Sequence, residues 1–145
     1  MDNKIKSKTR LVAIQLLCQH LVSKENIDLI KKDFDTYYRN VKIDPSSPKI
    51  EYNVNFLSKL INFYKLSNKN INLTNEINTL IKFNRKFEKW DTINKAVVLV
   101  AISELKNSEN IKYKIILNDY LEISKLFVNL KDTKIINAIL DKFIK

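Results

Sequence analysis

The sequence predicts an all-α protein, and three observations support this. Apolar residues recur at three- and four-residue spacing in one segment after another, which is the period of an amphipathic helix. No stretch shows the strict alternation of a half-buried strand. One run, Trp90 to Leu105, is apolar around most of its circumference, with only Asn94, Lys95, Ser103 and Glu104 polar between Ile93 and Leu105. A helix of that kind must be wrapped by other elements. Asp91 and Thr92 supply N-cap chemistry at its start. At about fifteen residues the run is too short to cross a bilayer. It is expected to be the central helix of a soluble bundle of about seven helices.

The other elements follow in chain order. From Lys4 to Val22, Leu11, Ile14, Leu17, Cys18, Leu21 and Val22 mark an amphipathic helix whose first turns carry Lys4, Lys6, Lys8 and Arg10. Cations at the positive end of a helix dipole favour a counter-anion; the alternative is a solvated, frayed start. Ser23 to Asn26 breaks the pattern and caps a second helix with Ile27, Ile30, Phe34, Tyr37 and Tyr38 on one face. Asn40 to Lys49 holds both prolines and reads as a loop dividing the bundle into two parts. A third helix is expected from Ile50 to Leu66, then a turn over Ser67 to Asn72, and a fourth helix capped by Asn72 or Thr74 with Ile77, Leu80 and Ile81. Phe83 to Lys89 mixes bases with aromatics, either as a single-stranded nucleic-acid site or as a helix end with its rings turned inward. After the central helix and a polar turn at Asn107 to Asn110, Tyr113 to Phe127 is helical. A last helix, capped by Asp132 or Thr133, bears Ile136, Ile139, Leu140 and Phe143.

Composition narrows the chemistry. The 145 residues suggest one domain, and the net charge of +10 favours a polyanionic partner. A drift toward Ile, Asn and Lys along the whole chain would also add lysines without function, and each third carries a similar positive excess. With no glycine, the Gly-rich phosphate loops and nucleophile elbows are absent. One Cys and one His cannot build a structural zinc site, and no cofactor is expected. Cys18 reads as a small buried hydrophobe. His20, without an acidic partner at helical spacing, reads as a surface or half-buried histidine rather than a general base. Asp119 and Glu122 read as salt-bridge partners of Lys112 or Lys125, and Glu104 as a partly buried acceptor. No catalytic constellation assembles, so an enzyme is not expected. No signal peptide or membrane run is seen, which makes the cytoplasm the expected location. Binding has more support. Lys131 and Lys134 bracket the expected cap of the last helix, and Phe127 precedes them; helix amides, lysines and a ring together suit phosphate and base.

Four segments stand out: Arg10-Leu-Val-Ala-Ile-Gln-Leu-Leu, Ile93-Asn-Lys-Ala-Val-Val-Leu-Val-Ala-Ile-Ser-Glu-Leu, Tyr113-Lys-Ile-Ile-Leu-Asn-Asp-Tyr-Leu-Glu-Ile-Ser-Lys-Leu-Phe and Lys134-Ile-Ile-Asn-Ala-Ile-Leu-Asp-Lys. Together they resemble NusB transcription antitermination factors. They keep the family's order and spacing, and only Glu25 to Lys89 lacks detailed likeness. The resemblance implies an all-α fold of two packed three-helix bundles in a single RNA-binding domain over residues 1–145. It implies a protein that pairs with NusE, a small-subunit ribosomal protein, on the boxA element of nascent rRNA. There the pair would help RNA polymerase read through terminators and assist rRNA maturation. By position, the RNA surface would include Lys6, Lys8, Arg10, Gln15, Phe127, Lys131, Lys134 and Ile135, and the NusE-facing surface Cys18, Glu88 and Asn94. The family commonly has Tyr at the place of Cys18, an acidic residue at Asn94 and at Lys131, Arg at Leu99, and glycine at Asn62 and Ala138. An aromatic of the family is replaced by Ile135. Two rival readings are the NusB-like domain of an rRNA cytosine methyltransferase and a helical protein-interaction adaptor whose charge is compositional drift.

Overall fold

The computed structural model describes residues 1–70, 73–81 and 86–145. Among these residues the structure is all-α, with seven α-helices, two short 3-10 helices and no strand. Helix α1 runs over Asn3–Ser23, α2 over Ile27–Tyr37, α3 over Val54–Asn70, α4 over Leu73–Leu80, α5 over Thr92–Lys106, α6 over Tyr113–Ser124 and α7 over Leu130–Ile144.

Helix α5 is the axis of the fold. Ten consecutive residues, Ala96 to Leu105, are buried, and the helix packs against α1, α3, α6 and α7. Around it, α1 and α3 pack on each other, α2 lies against both, and α4 rests on α7. The loop between α2 and α3 therefore joins two helices that touch. The core is one continuous apolar cluster with residues from every α-helix.

Several boundaries differ from those the sequence predicts, each for a local chemical reason. Helix α3 starts at Val54 rather than Ile50 because Asn53 caps it, its side chain accepting from the Phe56 amide at 2.8 Å. The Asn53 amide in turn donates to Thr9 Oγ1 on α1, which fixes the entry to the helix. Helix α3 also continues through Ser67 to Asn70, where a turn is expected from the polar composition. Thr74 lies inside α4 rather than at its cap, and Asn72 lies outside the described residues. Tyr37 and Tyr38 do not extend the buried face of α2; they are 68% and 52% exposed. Helix α6 stops at Ser124, and Lys125 to Phe127 form a turn. Of the aromatic-basic stretch, Phe83 to Arg85 lie outside the described residues, whereas Phe87 is buried in a 3-10 helix, Phe87–Lys89, packed against Trp90.

Candidate nucleic-acid interface

The placement of α1 against α5 sets the positions of every candidate residue. Arg10 meets Glu104 near the end of α5, and Cys18 Sγ lies 3.9 Å from the Thr92 carbonyl at its beginning. The two helices are thus antiparallel. The basic start of α1 sits by the C-terminal half of α5, and the other end of α1 sits by the N-terminus of α5.

Arg10 departs from its expected place on the RNA surface: its side chain is only 8% exposed. Its Nε donates to Glu104 Oε1 at 2.9 Å, and Nη2 to Glu104 Oε2 at 2.6 Å. Nη1 donates to Asp119 Oδ2 at 2.6 Å. The Tyr120 hydroxyl donates to Glu104 Oε1 at 2.6 Å, and Ser7 Oγ donates to Asp119 Oδ1. The guanidinium also lies over the rings of Phe56 and Tyr120, at 5.4 and 5.6 Å from their centroids. A buried charge must be paired and hydrogen-bonded to be tolerated, and this fork is satisfied by two carboxylates. Burial works against the cation, but the two carboxylates outweigh it and keep Arg10 protonated. Arg10 is therefore a structural tie among α1, α5 and α6, with its donors turned away from any phosphate. A signal for this is in the sequence: Arg10 falls on the same helical stripe as Ala13, Ile14 and Leu17, all buried. Asp119 takes Arg10 and Ser7 as partners rather than a lysine, whereas Glu122 pairs with Lys125 at 2.8 Å, as expected. Glu104 is an acceptor as expected, and fully interior.

The remaining cations are outside. Lys8 lies 3.9 Å from Glu51, both about half exposed, and Lys6 is half-buried. Gln15 is exposed on α1. Lys131 and Lys134 are exposed, and neither forms a salt bridge among the described residues. Phe127 is 36% exposed in the turn just before α7, and Ile135 is half-buried against the core.

The cap of α7 lies three residues earlier than Asp132. Asn129 accepts from the Asp132 amide at 2.8 Å. The Asp132 carboxylate accepts from Asn129 Nδ2 at 3.2 Å and from Asn94 Nδ2 at 3.0 Å. Asp132 thus places a negative charge in the first turn, where the helix dipole favours one. Attraction of a phosphate here falls to the side chains of Lys131 and Lys134, not to the helix amides.

Cys18, Glu88 and Asn94 gather around the N-terminus of α5. Glu88 is exposed and accepts from Asn78 Nδ2 at 2.6 Å, Asn94 is tied to Asp132, and Cys18 is half-buried, its thiol pKa pushed up by burial. His20 is half-buried, its Nδ1 2.6 Å from the Glu25 carbonyl. The α1 and α7 basic starts are separated by the stretch of α5 from Asn94 to Glu104, about 15 Å of helical rise. Helix α6 bridges that gap, from Asp119 beside Ser7 and Arg10 to the turn carrying Phe127.

Among the described residues no group of three or more His, Cys, Asp or Glu side chains is arranged to hold a metal ion. None of these helices is long and apolar enough to cross a membrane.

A model described as the NusB family matches residues 7–145. The chain is 28% identical over 139 residues to a transcription antitermination protein NusB of Tolumonas auensis, covering 95% of this chain and 91% of that one. It is 32% identical over 146 residues to the protein of that name in Rickettsia bellii, covering 97% and 92% of the two chains. The corresponding protein of Buchnera aphidicola subsp. Cinara cedri is 30% identical over 139 residues, with 94% and 88% covered. With a family model spanning nearly all of its length, the chain belongs to the NusB family.

Proposed function

We propose that this chain is a non-catalytic, RNA-binding antitermination factor that acts as one domain, pairing with NusE on a boxA-like element of nascent rRNA. Membership of the family carries a general role in transcription antitermination and a general partnership with RNA and ribosomal protein. The finer reading rests on one observation above all: Lys131 and Lys134 stand exposed and, among the described residues, without salt bridges in the first turns of α7, just after the turn that carries the half-open ring of Phe127. Such a grouping offers charge to phosphates and a face to a base. Lys6 and Lys8 at the start of α1 extend the surface across α6, with Gln15 farther along the same helix; Ile135, beside Lys134 on α7, packs against the core. Arg10 has no part in direct contact. Cys18, Glu88 and Asn94, grouped at the N-terminus of α5, are the NusE-facing patch in this reading. Through that pair the factor would join the antitermination complex on RNA polymerase and aid rRNA maturation. Relatives covered over about nine-tenths of their length bear the antitermination name, which favours this reading over a methyltransferase domain.

The test is a salt-controlled binding measurement with boxA-like and scrambled RNA, with and without the NusE candidate. Replacing both Lys131 and Lys134 by Ala is expected to weaken binding and to lower the log–log salt slope by about 1.4, from about 0.7 per lost single-strand phosphate contact. Unchanged affinity and slope would remove this surface. Equal binding of boxA-like and scrambled RNA would favour an adaptor without RNA specificity.

A further inference from the structure

The loop joining α2 to α3 carries an open aromatic stack that the surface described above does not use. Tyr52, 6% exposed, packs against Phe34 with ring centroids 5.4 Å apart. Phe34 stacks in turn on Tyr38 at 5.4 Å and an interplanar angle of 27°. Tyr38 is 52% exposed, so the stack ends in a ring with one face covered and the other in water. In the loop that follows Tyr38, Arg39, Lys42 and Lys49 are all exposed, and none forms a salt bridge among the described residues. Of the two carboxylates between α2 and α3, Glu51 lies 3.9 Å from Lys8 of α1 and Asp44 is turned onto its own turn. Asp44 accepts from the Ser46 amide and hydroxyl and from the Ser47 hydroxyl, which hold its pKa below the usual carboxylate range.

The loop is held in place at its base. The Asn40 amide donates to the Ile50 carbonyl at 2.8 Å, and the Ile50 amide to the Val41 carbonyl at 2.9 Å. Asn40 takes the left-handed conformation, φ 59°, that this reversal needs, a conformation Asn tolerates better than most residues. Just beyond, Glu51 lies by Lys8 and the Asn53 amide donates to Thr9. The loop therefore emerges beside the basic start of α1.

We propose that this loop is a second contact for single-stranded RNA, with one base stacking on the open face of Tyr38, the outer ring of the Tyr38–Phe34 stack, and Arg39, Lys42 and Lys49 meeting the adjoining phosphates. The charge selects the ligand: three cations without a salt bridge among the described residues, against Asp44 satisfied by its own turn and Glu51 placed by Lys8, suit a polyanion, and an aromatic face suits a base of any identity. The proposal rests on the RNA-binding reading and adds to it a strand that runs from the start of α1 onto the loop. Its contribution is to length and affinity rather than to sequence choice, because stacking tolerates every base.

The experiment compares binding of a short boxA-like RNA with the same RNA extended by several unpaired nucleotides at either end. The proteins are the wild type, Tyr38→Leu, Tyr38→Phe, the Lys42→Ala/Lys49→Ala double variant, and the Lys131→Ala/Lys134→Ala control. Leu keeps the apolar contact with Phe34 while removing the ring, and thermal unfolding verifies that each variant folds. The wild type is expected to bind the extended RNA at least about five-fold more tightly than the short one, the gain of one stacked base. Tyr38→Leu loses that gain and Tyr38→Phe retains it. The Lys42→Ala/Lys49→Ala variant lowers the salt slope by about 1.4 for the extended RNA alone. If Tyr38→Leu binds both RNAs like the wild type while the control variant is weakened, the loop contact is overturned and the surface proposed above stands. If no variant changes RNA affinity, both readings fall. Retention of the wild type but not of Tyr38→Leu on anionic vesicles, with RNA affinity unchanged, would assign the loop to a membrane surface and overturn the proposal.

Discussion

Replacing Arg10 by Met separates the buried tie from a phosphate contact. The substitution keeps an unbranched side chain of similar reach against Phe56 and Tyr120 but removes three hydrogen bonds. Glu104, 4% exposed, is then left with the Tyr120 hydroxyl alone, and Asp119 with Ser7. Breaking a buried pair by removing one partner costs about 3–5 kcal/mol, because the other charge stays buried without compensation. Against a typical domain stability of about 5–15 kcal/mol this is a large fraction. At roughly 3–4 °C per kcal/mol for a chain of this size, the melting temperature should fall by about 10–20 °C. Urea unfolding followed by the fluorescence of Trp90, the only tryptophan, gives the stability. Adding Glu104→Gln to Arg10→Met removes the stranded charge while keeping an acceptor for Tyr120. The double variant should therefore recover part of the loss, about 0.5–3 kcal/mol of coupling. RNA binding gives the second arm: the salt slope of the folded Arg10→Met protein should match the wild type. A cost below about 1 kcal/mol, the range of an exposed pair, together with a slope lower by about 0.7, would put Arg10 on the RNA and refute its assignment as an interior tie.

Other outcomes follow from the same geometry. Asn94→Asp sets a second carboxylate about 3 Å from Asp132 and should lower the urea midpoint, whereas adding Asp132→Asn restores a donor–acceptor pair with the roles exchanged. Strictly additive effects of the two changes would argue against the contact. Burial raises the pKa of Tyr52, Tyr64 and Tyr120, with the carboxylates of Asp35 and Glu104 adding to the shift at Tyr52 and Tyr120. A raised tyrosine pKa means the fold holds the neutral phenol, so this contribution is complete below the unfolded value of about 10 and is lost as the pH climbs past it. Tyrosinate absorbance should accordingly show three of the six tyrosines ionising only as the chain unfolds in alkali. Cys18, half-buried with a raised thiol pKa, should alkylate more slowly than a peptide thiol at mildly alkaline pH and reach the peptide rate in urea. Equal rates in both conditions would place the sulfur in solvent.

What the sequence conveys here is which faces are buried; what it withholds is which buried groups meet. The central helix is legible because, apart from Glu104, every side chain from Ala96 to Leu105 is apolar or small and leaves no face for water, and the structure buries all ten residues. Element ends are harder. The start of α3 depends on Asn53 and on Thr9, which is 44 residues away, and Asn129 caps α7 although Asp132 and Thr133 have equally good cap chemistry. Arg10 is the instructive case. Residue type sends an arginine to the surface, whereas its stripe with Ala13 and Leu17 sends it to the core. Glu104 poses the same conflict within the most apolar helix. Neither position makes sense alone, because an unpaired buried charge is too costly. Taken together they require each other, and the structure joins them across 94 residues of chain. Two misplaced charges of opposite sign are thus a readable signal of a core ion pair. The consequence reaches the proposed function, since an arginine neutralised inside the protein supplies nothing to a polyanion. In the proposed reading the attraction comes instead from lysines on the outside of α1 and α7, and from the loop beyond α2.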